Sequence, residues 1–152
     1  MSSPLGRLRA LGITLPAVVS PLAAYVPAVR SGSLVFTSGQ LPMVDGTLAV
    51  TGKVGAEVSA AEAKVLARTC ALNGLAAIDA LVGLDSVVRV VKVVGFVASD
   101  PSFTGQPGVV NGASEFLDEV FGPAGAHARS AVGVASLPLD APVEVELVVE
   151  VG

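Results

Sequence analysis

Hydrophobic residues recur at helical spacing in two segments of the chain. The first, residues 59–82, opens with the sequence S-A-A-E, which has the spacing of a capping box. The second begins near Pro107, a residue suited to a first helical turn, and runs to Gly122. The pattern therefore predicts two amphipathic helices, and a shorter helix is predicted over residues 4–11.

Extended segments separate these helices. Residues 26–30 and 34–38 predict a hairpin around a short glycine-containing turn. Residues 42–58 form a Gly-rich connecting segment, in which the pair Asp45-Gly46 predicts an extra turn. Residues 87–98 are almost continuously apolar, which is typical of a strand that is covered on both faces and lies in the middle of a sheet.

The last part of the chain reads as two further strands, residues 128–137 and 143–151, joined as a hairpin by a proline-containing turn. The second alternates aliphatic residues with glutamates, so one face packs and the other meets polar surroundings. Pairing these strands with each other places Arg129 and Glu144 about seven residues, or ~23 Å, apart and on opposite faces. Unless a bulge near Gly133 intervenes, the two residues can share a pocket only if two copies of the chain build it.

The predicted order ββαβαββ indicates an α+β fold, a mixed sheet with two helices on one face. With 152 residues the chain is expected to form a single domain, 1–152. Apolar residues make up 52% of the chain and charged residues only 14%. This apolar content exceeds what a monomer of this size needs inside, so the surplus is expected between subunits, on the face of the sheet that lacks helices.

Composition also argues against several classes of function. The net charge of −4, the scattered lysines and arginines and the 4% of aromatic residues oppose nucleic-acid binding. One histidine and one cysteine leave no metal-ligand set of the usual kind. Cys70 is interpreted as a buried packing residue on a predicted helix. Residues 10–29 are uncharged, but three prolines interrupt them, so neither a membrane span nor export is expected.

Arg129 stands among small and apolar residues, where a lone guanidinium needs an anion. That anion could be a bound carboxylate ligand or, in a purely structural role, Glu146 or Glu150. Glu144 is open to two interpretations as well, as a catalytic group or as an ordinary solvated carboxylate. The only histidine, His127, is expected at the surface.

Several ordered segments resemble the Rid family of reactive intermediate deaminases, also called the YjgF or L-PSP family. The resemblance covers about residues 20–151 and is closest to a longer branch of about 150 residues that has an N-terminal extension, which it implies for residues 1–20 of this chain. It is carried by the segments YVPAV at 25–29, LVFTSGQLP at 34–42, VNGASEFL at 110–117, ARSAV at 128–132, LP at 137–138 and VEVE at 143–146.

The resemblance implies a chorismate-mutase-like fold and a homotrimer that closes a central barrel of strands, with three clefts between subunits. In typical members of the family the cleft hydrolyses 2-imino acids, such as 2-aminoacrylate and 2-iminobutanoate, to 2-keto acids and ammonia. No cofactor or metal is needed. The expected partners are a small carboxylate or imino-acid ligand and two further copies of the chain, in the cytoplasm, with no membrane or nucleic acid.

The resemblance also implies roles for individual residues. Arg129 would bind the substrate carboxylate through a bidentate pair, and Glu144 would hold or activate the attacking water. Ala131 would offer its backbone to the ligand. The remaining pocket residues would be Tyr25, Ser38, Gly39 and Asn111, although packing at a subunit seam, shaping of a turn or satisfying backbone near a helix start would also explain them.

Two positions depart from the family pattern. Typical deaminating members have cysteine where this chain has Ala131, and glutamate is common where Gly133 stands. The segment 42–58 and the start of the chain could also reshape the mouth of the cleft. Imine deamination is the leading hypothesis, a non-catalytic carboxylate-binding or regulatory trimer is the second, and endoribonuclease or translation-inhibitor activity is the third.

Overall fold

The computed structural model describes residues 2–19, 21 and 23–152, so that both ends of the predicted N-terminal extension, residues 1 and 20, lie outside the described residues. The element order confirms the predicted ββαβαββ pattern, preceded by a short helix. In chain order the elements are α1 Pro4–Ala10, β1 Ala28–Ser31, β2 Leu34–Thr37, α2 Ala60–Val82, β3 Val87–Ala98, α3 Gln106–Phe121, β4 Ala128–Val134 and β5 Val143–Val151.

The long helix α2 begins at the predicted capping box. The Glu62 amide donates to Ser59 Oγ at 3.1 Å, and the Ser59 amide donates to Glu62 Oε1 at 3.2 Å. Cys70 is fully buried on the inner side of this helix, as predicted. By length and composition alone α2 could cross a membrane, but half of that stretch is buried inside the fold, as expected of a core helix.

The five strands form one sheet in the order β1-β2-β5-β3-β4. The prediction that the last two strands pair with each other is wrong, because β3 lies between them. Helix α3 carries the chain back to the same end of the sheet, so β4 pairs parallel with β3. A turn with left-handed backbone at Leu139 and Asp140 then leads to β5, which is antiparallel to both of its neighbours.

The sheet has one face covered by helices and one face without them. On the helix face the side chains at odd positions of β5 are buried, and both long helices pack there, as predicted. A Cβ added to Gly74 of α2 would lie 2.9 Å from Leu147, and one added to Gly95 of β3 would overlap Val110 of α3. Gly95 pairs with Val145 on this same face, so glycines allow close helix–sheet contact at two points.

The opposite face, called here the open face, is largely apolar. Strand β3 is interior, and within one chain the helices cover one of its faces; the central strand of the sheet is β5 rather than β3. Residues on the open face keep much of their surface accessible: Phe36 is 41% exposed, Val132 42% and Val29 50%. The open face includes Val29, Leu34, Phe36, Lys92, Val94, Phe96, Ala128, Ser130, Val132, Glu144, Glu146, Val148 and Glu150.

The contact between α2 and α3 depends on a glycine. A Cβ at Gly112 would overlap the backbone carbonyl of Lys64, which cannot rotate away. We expect Gly112→Ala to lower the free energy of unfolding by about 2–3 kcal/mol, because the two helices must separate. Gly108→Ala, where a Cβ meets nothing within 4 Å, is the matched control, and a slight gain in stability is expected there. Urea denaturation followed by circular dichroism measures both, and equal midpoints would contradict the expectation.

Candidate functional site

Arg129 lies on β4 and faces helix α3. In the parallel register it pairs with Val93, a buried residue of the helix face. Its Nη1 donates to Asn111 Oδ1 at 2.7 Å and to Ser114 Oγ at 3.2 Å, and its Nη2 donates to the Pro107 carbonyl at 3.3 Å. The structure thus brings together Arg129 and Asn111, two of the residues named by the resemblance, and adds Ser114.

The acceptors around Arg129 are all neutral. In the part of the chain that the structure describes, no ion pair includes Arg129, and Glu146 and Glu150 project from β5 on the opposite side of the sheet. The structural interpretation, in which one of these glutamates pairs with Arg129, is therefore wrong within one chain. A guanidinium has five N–H donors, and the three bonds leave Nε–H and one Nη2–H for another acceptor.

Glu144 lies on the open face, where it pairs with Phe96 of β3. Its carboxylate is half-buried against the backbone of Gly39, so closely that a Cβ at residue 39 would overlap Oε2. Burial raises the pKa of Glu144, and the negative charge of Glu146 on the same face raises it further. Glu144 is therefore a stronger base than an ordinary surface glutamate.

Three other residues named by the resemblance lie on the segments next to this carboxylate, and Gly39 contacts it directly. Tyr25 and Gly39 line a small cavity of about 30 Å³ between the N-terminal extension and the segment that follows β2. Ser38 donates from Oγ to the Val26 carbonyl at 2.6 Å and from its amide to the Pro27 carbonyl at 2.8 Å. These bonds fix the chain before Gly39, so that a wall of the cavity stands beside Glu144.

The two groups of residues belong to opposite faces of one sheet. Arg129 aligns with Val93 and, through it, with Leu147 of β5, three residues beyond Glu144. Arg129 and Glu144 are separated by two inter-strand spacings across the sheet and by three residues along a strand. Their Cα atoms therefore lie about 14 Å apart. The predicted separation of ~23 Å is thus wrong, because β3 intervenes, whereas the prediction of opposite faces is confirmed. Each chain carries two half-sites, an arginine half-site and a glutamate half-site, that do not face each other.

The two departures from the family pattern lie beside the arginine half-site. Ala131 follows Arg129 on the same face of β4 and pairs with Gly95. A Cβ at Gly133 would lie 2.7 Å from Gln106 Nε2, which donates to the Phe103 carbonyl at 2.8 Å. The Gln106 amide therefore fills the space beside residue 133, which gives this glycine a local structural reason.

Sequence reasoning missed two members of the arginine half-site. Ser114 lies one helical turn after Asn111, a spacing that could have revealed it. His127 is half-buried rather than at the surface as predicted, and both of its ring nitrogens are within hydrogen-bonding distance of a partner. Among the described residues no group of three or more His, Cys, Asp or Glu side chains could hold a metal ion.

The chain is similar along most of its length to known proteins. Protein TCP17 of Trypanosoma cruzi is 49% identical over 145 residues, which cover 94% of this chain and 91% of that protein. The crystal structure of Atu1372 from Agrobacterium tumefaciens, a protein of unknown function, is 48% identical, has a TM-score of 0.91 and covers 98% of this chain and 92% of its own.

A more distant structure carries a ligand. TdcF of E. coli with bound serine is 28% identical to this chain, has a TM-score of 0.65, and the match covers 91% of this chain and 96% of TdcF. A family model described as "YjgF/chorismate mutase-like, putative endoribonuclease" matches residues 5–151, nearly the whole chain. The chain therefore belongs to the YjgF/chorismate-mutase-like family and has its α+β fold.

Proposed function

We propose that this protein hydrolyses 2-imino acids to 2-keto acids and ammonia in clefts between the subunits of a cytoplasmic homotrimer. The observation that carries the proposal is the separation of the half-sites. Arg129 retains N–H donors and has no carboxylate partner among the described residues, while Glu144 is a half-buried carboxylate on the other face. Since one chain cannot join them, a second copy would supply the missing half.

The chemistry needs little more than these two groups. A protonated imine is already electrophilic, so the protein has to orient the substrate and place a water. Arg129 would hold the carboxylate through Nε–H and Nη2–H, and Glu144 would take a proton from the water as its oxygen attacks the imine carbon. Protonated Glu144 then passes its proton to the carbinolamine nitrogen. The C–N bond breaks, ammonia leaves, and the hydroxyl proton returns to Glu144 as the carbonyl of the 2-keto acid forms. Because residue 131 is alanine, no thiol takes part.

Carboxylate binding without turnover is the second candidate function. It is supported by Ala131, which stands where typical deaminases have cysteine, and by the serine bound to TdcF. Both functions require Arg129, but only deamination requires Glu144 as a base. Loss of the Glu144 carboxylate with binding retained therefore separates the two.

Endoribonuclease activity, which the family description names, is the third candidate. The net charge of −4 opposes it, since proteins that track phosphates carry basic surfaces. RNA binding that weakens steeply as salt is raised would favour it over the other two.

The deaminase proposal is tested with 2-aminoacrylate generated in the assay by a dehydratase acting on serine. We expect micromolar protein to accelerate the release of pyruvate above the spontaneous rate, and sedimentation to give three times the chain mass. Pyruvate release that stays at the spontaneous rate would reject deamination. Binding of 2-oxobutanoate in the same preparation would then favour the second candidate.

A further inference from the structure

A serine hydroxyl joins Arg129 to the only histidine of the chain. Ser114 Oγ lies 3.2 Å from Arg129 Nη1 and 2.8 Å from His127 Nε2. The other ring nitrogen, His127 Nδ1, lies 2.6 Å from the carbonyl oxygen of Gly125. Ser114 and His127 are both partly buried.

The partners fix the direction of each hydrogen bond. A carbonyl oxygen only accepts, so the hydrogen of a neutral His127 ring is on Nδ1 and points to Gly125. His127 Nε2 is then an acceptor and takes the hydrogen of the Ser114 hydroxyl. The lone pairs of Ser114 Oγ remain to accept from Arg129. Each of the three donors in this chain of hydrogen bonds, on Arg129, Ser114 and His127, therefore has an acceptor.

We propose that His127 is a positioning residue for Arg129, acting through Ser114, and that it thereby sets the affinity of the site for carboxylates. Without the histidine the Ser114 hydroxyl is free to turn its hydrogen toward Arg129, and the guanidinium loses one of its three anchors. Asn111 and the Pro107 carbonyl remain, so the arginine stays in place but rotates more freely. The inference deepens the proposed function and rests on it for the identity of the ligand.

The first test compares three variants by their affinity for 2-oxobutanoate, measured by titration calorimetry on the intact assembly. His127→Phe and Ser114→Ala are expected to raise Kd about tenfold, the worth of one hydrogen bond. His127→Gln keeps an acceptor near the position of Nε2 and is expected to stay within about threefold of wild type on the same scale. Equal Kd values for His127→Phe and wild type would overturn the inference.

Kinetics distinguish positioning from damage to the fold. A weaker hold on the carboxylate raises KM and leaves kcat nearly unchanged, whereas a loss of folded protein lowers kcat at constant KM. Ser86→Ala is the matched control, because the Ser86 hydroxyl also donates a hydrogen bond, to the Gly83 carbonyl at 2.6 Å, but lies in the turn that precedes β3. It is expected to change neither constant.

A second measurement does not depend on the proposed function. In the tag-free protein the only imidazole signals belong to His127. Nitrogen NMR of these signals should show the tautomer that carries its hydrogen on Nδ1 and none on Nε2. Rotation of the Arg129 guanidinium, assigned with Arg129→Lys, should be at least about ten times faster in His127→Phe than in His127→Gln. A hydrogen on Nε2 alone, or equal rotation rates, would overturn the inference even if 2-oxobutanoate binds. If wild type binds no carboxylate but the NMR results hold, the proposed function fails and the positioning of Arg129 stands.

Discussion

Replacing Arg129 with alanine is expected to raise the Kd of 2-oxobutanoate at least about 100-fold. Two charge-assisted hydrogen bonds would be lost, and each is worth about 1.5–3 kcal/mol. The neutral acceptors around the guanidinium contribute to this effect, because they orient it without cancelling its charge. Arg129→Lys keeps the positive charge but lacks the planar, paired N–H donors of the guanidinium. Its affinity for 2-oxobutanoate should therefore lie between those of Arg129→Ala and wild type.

Titration calorimetry on the folded assembly measures this loss. Arg30→Ala is the matched control, since Arg30 lies on the other edge strand of the sheet and its Nε donates to the nearby Gly32 carbonyl at 2.9 Å. Its Kd should equal that of wild type. An Arg129→Ala protein that is folded and binds 2-oxobutanoate as tightly as wild type would remove the basis of both carboxylate hypotheses.

Glu144→Gln is expected to lower kcat at least about 100-fold, the usual contribution of a positioned general base. The Kd of 2-oxobutanoate should stay within about threefold of wild type, because the neutral side chain has nearly the same shape and Arg129 is untouched. Glu150→Gln makes the same change on the same strand and is expected to leave kcat unaltered. A Glu144→Gln enzyme with normal kcat would show that this carboxylate is not the base.

The raised pKa of Glu144 gives activity and stability opposite dependences on pH. A base acts as the carboxylate, so kcat of wild type should fall as pH decreases through a value above the ordinary pKa of glutamate. The stability contributed by a group with a raised folded pKa is present below the unfolded pKa, about 4.3, and is lost as pH rises through the folded pKa. Glu144→Gln should therefore be more resistant to urea than wild type at pH 7 and equal to it near pH 4.

Local sequence patterns predicted the elements well because each depends on nearby residues. The Ser59–Glu62 capping box and the alternation in β5 act within a few positions of the chain. Alternation fixes which face a residue occupies, so the prediction that Arg129 and Glu144 lie on opposite faces was correct. It does not fix which strand is the neighbour, and the predicted pairing of β4 with β5 failed for that reason.

The candidate site was only partly predictable, because its contacts join distant segments. The association of Arg129 with Asn111 came from the family resemblance, and their hydrogen bond required α3 to lie over β4. The roles of Ser114 and His127 depend on that same packing. Gln106 explains Gly133 only once the start of α3 is seen to lie beside the end of β4.

The division of the site between two faces of one sheet has a consequence for the behaviour of the protein in the cell. If each cleft draws one half from each of two chains, dissociation destroys it as completely as mutation would. Catalytic rate then rises more steeply than linearly with the amount of protein, up to the concentration at which association is complete. Under the proposed function, expression level itself would act as a threshold for activity.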